Sequence, residues 1–322
     1  MKSLPLHSQH YKYLLQSYQE YLQVTGYAEK TWQSWPVHVR EFLHYLEQKN
    51  IEHITAVSAN DIADFTEHIK RRRNRTTGGG LSSSMINGII NAVNVFAKFL
   101  NSTGNYILEL TMQREENNVS IKNILSVAEV KKLYDASFQP YGWNSTAMGQ
   151  RDRAIIALYY GCGLRRSEGV QLNTSDIDFH RRLVFVRKAK GNKQRYVPIA
   201  AKHLNDIETY IKEGREWFLY HHSTSFEYCN QHNGKPLPKK AQKDDEAFLL
   251  THHGTRFIQP EWRLKYLQSK TEIEKPVTLH GLRHSIATHL LQSGMDIEDI
   301  AKFLGHASLV STQIYTHVVN EM

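Results

Sequence analysis

Cysteine is nearly absent: Cys162 and Cys229 are the two in 322 residues. That excludes a disulfide framework and a Cys-based zinc site. Long apolar runs are missing as well. None approaches the roughly 18 consecutive residues that a membrane span requires. The opening MKSLPLHSQHYKYLLQ has no secretory hydrophobic segment. A cytoplasmic protein with no membrane partner is expected. No HExxH or Cys/His spacing organises the histidines, so His221–His222, His252–His253, His284 and His289 are not read as metal ligands. What is present is ordinary for a globular protein, with 40% hydrophobic and 22% charged residues. The length suits two domains, each large enough to bury a core.

The net charge is +8, and it is unevenly spread. Residues 151–200 carry eleven Lys/Arg against four Asp/Glu, whereas residues 1–112 carry eleven against nine. A local excess of this kind suits a polyanion site. The basic run KRRRNR at 70–75 is either a solvated helix end or a phosphate contact.

Residues 1–112 read as four helices. Tyr11, Leu14, Leu15, Tyr18 and Leu22 repeat at helical spacing, as do Trp32, Phe42, Tyr45 and Leu46 around Pro36. Ser58 and Asp61 form a capping-box pair. Ile86, Ile89, Ile90, Val93, Phe96 and Leu100 share one face. The polar, aperiodic stretch TMQREENNVS reads as the linker region, so the expected division is 1–112, a linker at 113–124, and 125–322. A second capping box, Ser126 and Glu129, opens the latter part. RRLVFVRKAKGNKQRYVPI predicts two strands around a turn containing Gly191-Asn192, and a helix is expected over 202–219. Residues 221–246 read as a long loop, and the remainder as helices punctuated by Gly281, Gly294 and Gly305. The fold class expected is mainly α with a small β-sheet.

One group of residues is chemically suggestive. His280 and Arg283 stand three apart at a helix start, Arg165 follows a glycine turn with Glu168 three residues on, and Lys190 sits at the hairpin tip. His306 and Tyr315 close the chain. Two arginines can clamp a phosphate. Tyrosine can form a covalent intermediate, but its pKa near 10 demands assistance from positive charge or a base. A lysine on a hairpin can protonate a leaving oxygen. No pair of carboxylates accompanies the set, which argues against two-metal phosphoryl transfer. The reading is metal-free phosphodiester transesterification through a phosphotyrosine, with no cofactor. Each residue also has an ordinary reading: Lys188 and Lys193 rival Lys190, Arg166 rivals Arg165, and Tyr315 can be a core aromatic.

GLRRSE, KGNKQRYVPI, LHGLRHSIATHLL and LGHASLVSTQIYTH, in that order, resemble the catalytic boxes of the tyrosine recombinases, the phage-integrase family. The resemblance runs through residues 126–318, and the N-terminal helices resemble the family's core-binding domain more loosely. It implies a helical core-binding domain and a catalytic domain that close as a clamp on duplex DNA carrying recombination sites, and a homotetramer on that DNA. It implies that Tyr315 attacks the scissile phosphate, that Arg165 and Arg283 hold its non-bridging oxygens, that His280 and His306 assist, and that Lys190 protonates the departing 5′-oxygen. Glu168 is expected to support Arg165. Alternatives are a type IB topoisomerase-like or hairpin-resolving transesterase, and a DNA-binding relative with an inactive site. An additional arm-binding domain is expected to be absent.

Overall fold

The computed structural model describes residues 4–74, 78–104, 111–115, 123–139, 145–187, 194–220, 244–306, 308–309, 311–313 and 315–316. It divides into two compact units, Met1–Asn118 and Val119–Met322.

The first unit is helical. Helix α1 (Gln9–Val24) starts at Ser8, whose hydroxyl accepts a hydrogen bond from the Tyr11 N–H. Helix α2 (Glu29–Gln48) runs through Pro36, which supplies no N–H to it. Helix α3 (Ala59–Arg71) opens with the expected Ser58/Asp61 capping box, and α4 (Ser83–Ser102) with Ser82 as its cap. The apolar stripes meet in one core that includes Tyr18, Leu22, Phe42, Phe65, Phe96 and Leu100. The buried phenols are satisfied. Tyr11 donates to the Ile51 carbonyl at 2.7 Å and Tyr18 to that of Ala92 at 3.1 Å.

Residues 111–115, at the expected junction of the first domain and the linker, are strapped along α4. The Asn94 amide donates to the Met112 carbonyl and accepts from its N–H, at 3.0 and 2.9 Å. Asn87 does the same with Glu115 at 2.9 and 2.8 Å. Arg114 adds a bond to Asn91. Apolar periodicity does not register an extended segment held by amides.

In the second unit, α5 (Val127–Ala136) carries the expected Ser126/Glu129 box. Helix α6 (Ser145–Ile156) continues into a π-helical turn, Ala157–Gly161, and after a glycine reversal comes the short α7 (Arg166–Val170). Strands β1 (Ile177–Asp178), β2 (Leu183–Val186) and β3 (Arg195–Pro198) form an antiparallel sheet in the order β1-β2-β3. Val184 pairs with Val197 on the buried face, while Phe185 and Tyr196 pair on the other. Helices α8 (Ala201–Thr209) and α9 (Glu216–Tyr220) are joined by a second π-helical stretch. The last described helices are α10 (Glu261–Ser269), α11 (Leu279–Gln292) and α12 (Ile297–Leu304), followed by helical residues 311–313 and 315–316.

Residues 247–260 differ from the helix expected there. Asn173 bridges Ala247, Leu250 bridges Arg256, and the Phe248 N–H donates to the Leu172 carbonyl. Phe248, Leu249 and Leu250 are buried in succession, which a one-faced helix does not allow. Of the predicted 221–246 loop, only residues 244–246 fall within the described residues. Buried ion pairs brace this unit. Arg263 grips Asp152 through two bonds of 2.8 and 2.6 Å. Arg151 lies against the Phe218 and Phe257 rings and donates to the Leu250 carbonyl. Among the described residues, no helix is long and apolar enough to cross a membrane.

Candidate active site

The site is assembled on two glycine turns. Gly163 has φ +56°, and a Cβ there would lie 3.0 Å from side-chain atoms of Leu304 and Phe303. Gly305 ends α12 in the left-handed region at φ +65°, and a Cβ there would lie 2.8 Å from the Arg195 Nε. These turns let α12 approach the start of α7, where Arg165 occupies the N-cap position.

Glu168 is the anchor. Its carboxylate accepts from the Arg165 backbone N–H and guanidinium, each at 2.8 Å. It also accepts from both terminal nitrogens of Arg195, at 2.9 Å. Burial alone would raise its pKa. The Arg195 pair and the Arg165 hydrogen bonds outweigh that and hold it down at about 2. Arg165 is thereby oriented, and its second terminal nitrogen donates to the Gly305 carbonyl at 2.8 Å.

Arg283, on α11, is 2% exposed. It ties the two turns together by donating to the Gly163 carbonyl (2.5 Å) and the Leu304 carbonyl (2.7 Å). Burial, then repulsion from Arg165, lowers its pKa to about 10, which leaves it cationic at neutral pH. A guanidinium carries five N–H donors. Among the described residues, two terminal nitrogens of each of Arg165 and Arg283 make the bonds given above, so donors remain on both for an anion.

Tyr315 is 1% exposed and packs with Ala287, Ile300 and Leu304, as the ordinary reading of a core aromatic has it. Its hydroxyl, however, lies 2.8 Å from the His284 Nδ1. Burial pushes the phenol pKa up to about 12, against the downward pull of Arg283 and Arg165. His306 stacks on the phenol, with ring centroids 6.4 Å apart and planes 9° from parallel. Its Nδ1 is 2.8 Å from the Thr312 Oγ1. His280 keeps an exposed face in the first turn of α11, and its ring meets that of His284 edge-on at 4.1 Å. All three imidazoles are held neutral. Removal from water, followed by neighbouring positive charge, lowers His280 and brings His284 and His306 to about 4.

Five of the six predicted residues, Arg165, His280, Arg283, His306 and Tyr315, therefore gather in one place. Lys190 lies outside the described residues, between β2 and β3. Among the described residues, no group of three or more His, Cys, Asp or Glu could hold a metal ion.

The profile of the phage integrase family matches residues 123–322, the segment that contains this whole cluster. The chain belongs to that family. A second profile, the N-terminal SAM-like domain of phage integrases, matches residues 15–104. Among curated relatives, the integrase-family chain is 31% identical over 312 residues to tyrosine recombinase XerC 2 of Ralstonia nicotianae, covering 94% of this chain and 81% of the relative. It is also 31% identical over 314 residues to tyrosine recombinase XerC of Oceanobacillus iheyensis, covering 95% and 92%. Two solved structures share the fold. The Tn1549 transposon integrase in complex with transposon right end DNA superposes with a TM-score of 0.65 at 18% identity, covering 94% of each chain. A lambda integrase tetramer bound to a Holliday junction does so with 0.63 at 14%, covering 94% of this chain and 76% of that one.

Two members of this integrase site lie outside the predicted set. Sequence reasoning leaves His284 with the unorganised histidines. It stands four residues after His280 and next to Arg283, so helical spacing already puts it on the same face as His280. Arg195 lies in the basic segment, and nothing in its local sequence marks it as the partner of Glu168.

Proposed function

We propose that this integrase-family protein is a site-specific DNA recombinase that cuts and rejoins duplex DNA through a 3′-phosphotyrosine. Tyr315 Oη forms a bond to the scissile phosphorus as the bond from phosphorus to the 5′-oxygen breaks. Arg165 and Arg283 bind the non-bridging oxygens and stabilise the charge that develops on them. His280 and His306 help to orient the phosphate and the nucleophile. Lys190 gives a proton to the departing 5′-oxygen. The phosphotyrosine conserves the energy of the broken linkage, so a 5′-hydroxyl from a second duplex can reverse the step and exchange strands. The helical first unit serves as the core-binding domain on the duplex, and four copies assemble on two sites.

The observation that carries this reading is that buried Tyr315 lies in the electrostatic field of two guanidiniums, Arg283 and Arg165, which are fixed by backbone carbonyls and by Glu168. Fixed cations around a weak nucleophile suit attack on an anionic phosphodiester. The test is a nicked suicide substrate run on a denaturing gel. Protein joined covalently to the DNA 3′-end, followed by transfer to a second duplex carrying a free 5′-hydroxyl, is expected. Relaxation of supercoiled plasmid with no transfer between duplexes would reassign the protein to the topoisomerase-like alternative. DNA binding with no adduct would make it an inactive relative.

A further inference from the structure

The three imidazoles around Tyr315 are not equivalent. His306 lies parallel to the phenol ring, and its Nδ1 is engaged by Thr312. His280 meets the edge of His284. Only His284, among the described residues, has a nitrogen at hydrogen-bond distance from the phenol oxygen, at 2.8 Å. We propose that His284 is a catalytic residue that takes the proton of Tyr315 as the phenol attacks. This rests on the reading of Tyr315 as the nucleophile.

The step balances without a further reactant. The bond from Tyr315 Oη to phosphorus forms, and the bond from phosphorus to the 5′-oxygen breaks. The phenolic proton moves to His284 Nδ1, and the 5′-oxygen takes its own proton from Lys190. For this, His284 carries its resting proton on Nε2 and presents a lone pair at Nδ1.

The surroundings favour that state. His284 is faced by His280 and Arg283 on α11, by His306 after α12, and by Tyr315. Burial and these neighbours keep the imidazole neutral, so the lone pair is present at physiological pH. With the phenol high and the imidazole low, the proton stays on the tyrosine in the free enzyme. A bound phosphodiester brings negative charge between Arg165 and Arg283. That charge offsets the cationic surroundings and makes His284 a stronger base only when substrate is in place.

The experiment measures single-turnover adduct formation on the nicked suicide substrate for His284→Ala, His284→Asn and His284→Phe. Asn puts an oxygen near the Nδ1 position that accepts a hydrogen bond but takes no proton. Phe keeps the ring volume if Ala fails to fold. All three are expected to bind DNA as the wild type does and to form adduct about 100- to 10,000-fold more slowly, the range for a lost proton-transfer group. Added imidazole should recover part of the Ala variant's rate, with a pH dependence that follows imidazole itself. A 5′-bridging phosphorothiolate, whose leaving group needs no proton, should rescue Lys190→Ala and leave His284→Ala slow. An Asn or Ala variant within a few-fold of wild type would overturn the assignment, because a holding bond or none would then suffice. A wild type that forms no adduct, or a Tyr315→Phe variant that does, would instead overturn the underlying reading of Tyr315.

Discussion

The two units of this chain bury different things. Among the described residues, the first unit buries aliphatic and aromatic side chains and a single amide, Asn87. The second buries Arg151, Asp152, Glu168, Arg215, Arg263 and Arg283 beside its apolar core. Removing charge from water costs several kcal/mol per ion unless it is paired and hydrogen-bonded. The second unit meets that condition with Arg263 on Asp152, Arg195 on Glu168, and Arg215 and Arg283 on backbone carbonyls. The difference separates two tasks. An apolar core is enough to hold helices together, whereas a reaction that needs guanidiniums at fixed positions requires a scaffold that is itself partly ionic.

The sharpest way to probe this contrast is to make one substitution in both units. Tyr18→Phe and Tyr315→Phe each delete a hydroxyl and keep a buried ring. Tyr315→Phe should abolish the covalent DNA adduct with folding and DNA binding retained, at a cost in stability of about 1 kcal/mol for the lost bond to His284. Tyr18→Phe loses one hydrogen bond, to the Ala92 carbonyl. It should lower stability by about 1 kcal/mol with the adduct yield unchanged. An adduct from Tyr315→Phe at near wild-type yield would remove the chemical distinction between the two cores.

Next come two truncations of similar size and different origin. Phe42→Ala should cost about 3–5 kcal/mol through a cavity in the first unit. Arg263→Ala should cost about 3–5 kcal/mol in the second because Asp152 is left buried and unpaired. The pair can be told apart by a double replacement. Asp152→Leu with Arg263→Met should recover most of the loss in urea unfolding, since apolar residues can substitute for a buried pair. If the double variant is as unstable as Arg263→Ala, the ion pair is not the reason for the loss.

Acid should act strongly on the second unit. His284 and His306 are lowered to about 4, so the unfolded chain binds their protons first. Their contribution is full above an ordinary histidine pKa near 6.5 and is lost as pH falls toward about 4. Glu168, held at about 2, adds stability above an ordinary carboxylate pKa near 4.3 that disappears as pH falls through that value toward 2. In the first unit His10 and His38 are also lowered, by burial, and Asp61 by its bonds to Ser58, but no buried carboxylate resembles Glu168 among its described residues. Hydrogen exchange read peptide by peptide should show residues 163–168 and 283–306 opening at higher pH than the α1–α4 core. The reverse order would contradict the assignment.

The smallest effect concerns Asn94. Asn94→Ala removes both amide bonds to Met112. It should destabilise the first unit by about 1 kcal/mol, because the strap it releases can turn to water. Faster exchange of the Met112 amide, with the α1–α2 core unchanged, is the expected signature.

Much of this was legible in the sequence, for physical reasons. Both capping boxes, at Ser58 and Ser126, were readable because the side chain and the backbone it satisfies are sequence neighbours. The α4 stripe was readable because burial there follows the helical period. Arg165, Arg283, His306 and Tyr315 were readable because their boxes have a family-specific order. Three features were not. The strap at 111–115 depends on amides 18 and 28 residues away. Residues 247–250 are buried on every side, so no period marks them. The Glu168–Arg195 pair joins positions 27 residues apart, and only the folded sheet brings them together.

Arg283 has one more consequence. It reaches 120 residues back to Gly163 and 21 forward to Leu304, so the guanidinium assigned to the phosphate is also a fastener of the fold. Assembly of the site and closure of the unit are thus a single event. A chain still emerging during synthesis, or one locally opened by heat, loses the carbonyls that aim Arg283 at the same moment as the segment that carries Tyr315. The capacity to break DNA therefore comes and goes with the fold of this unit, and a half-built copy is chemically silent.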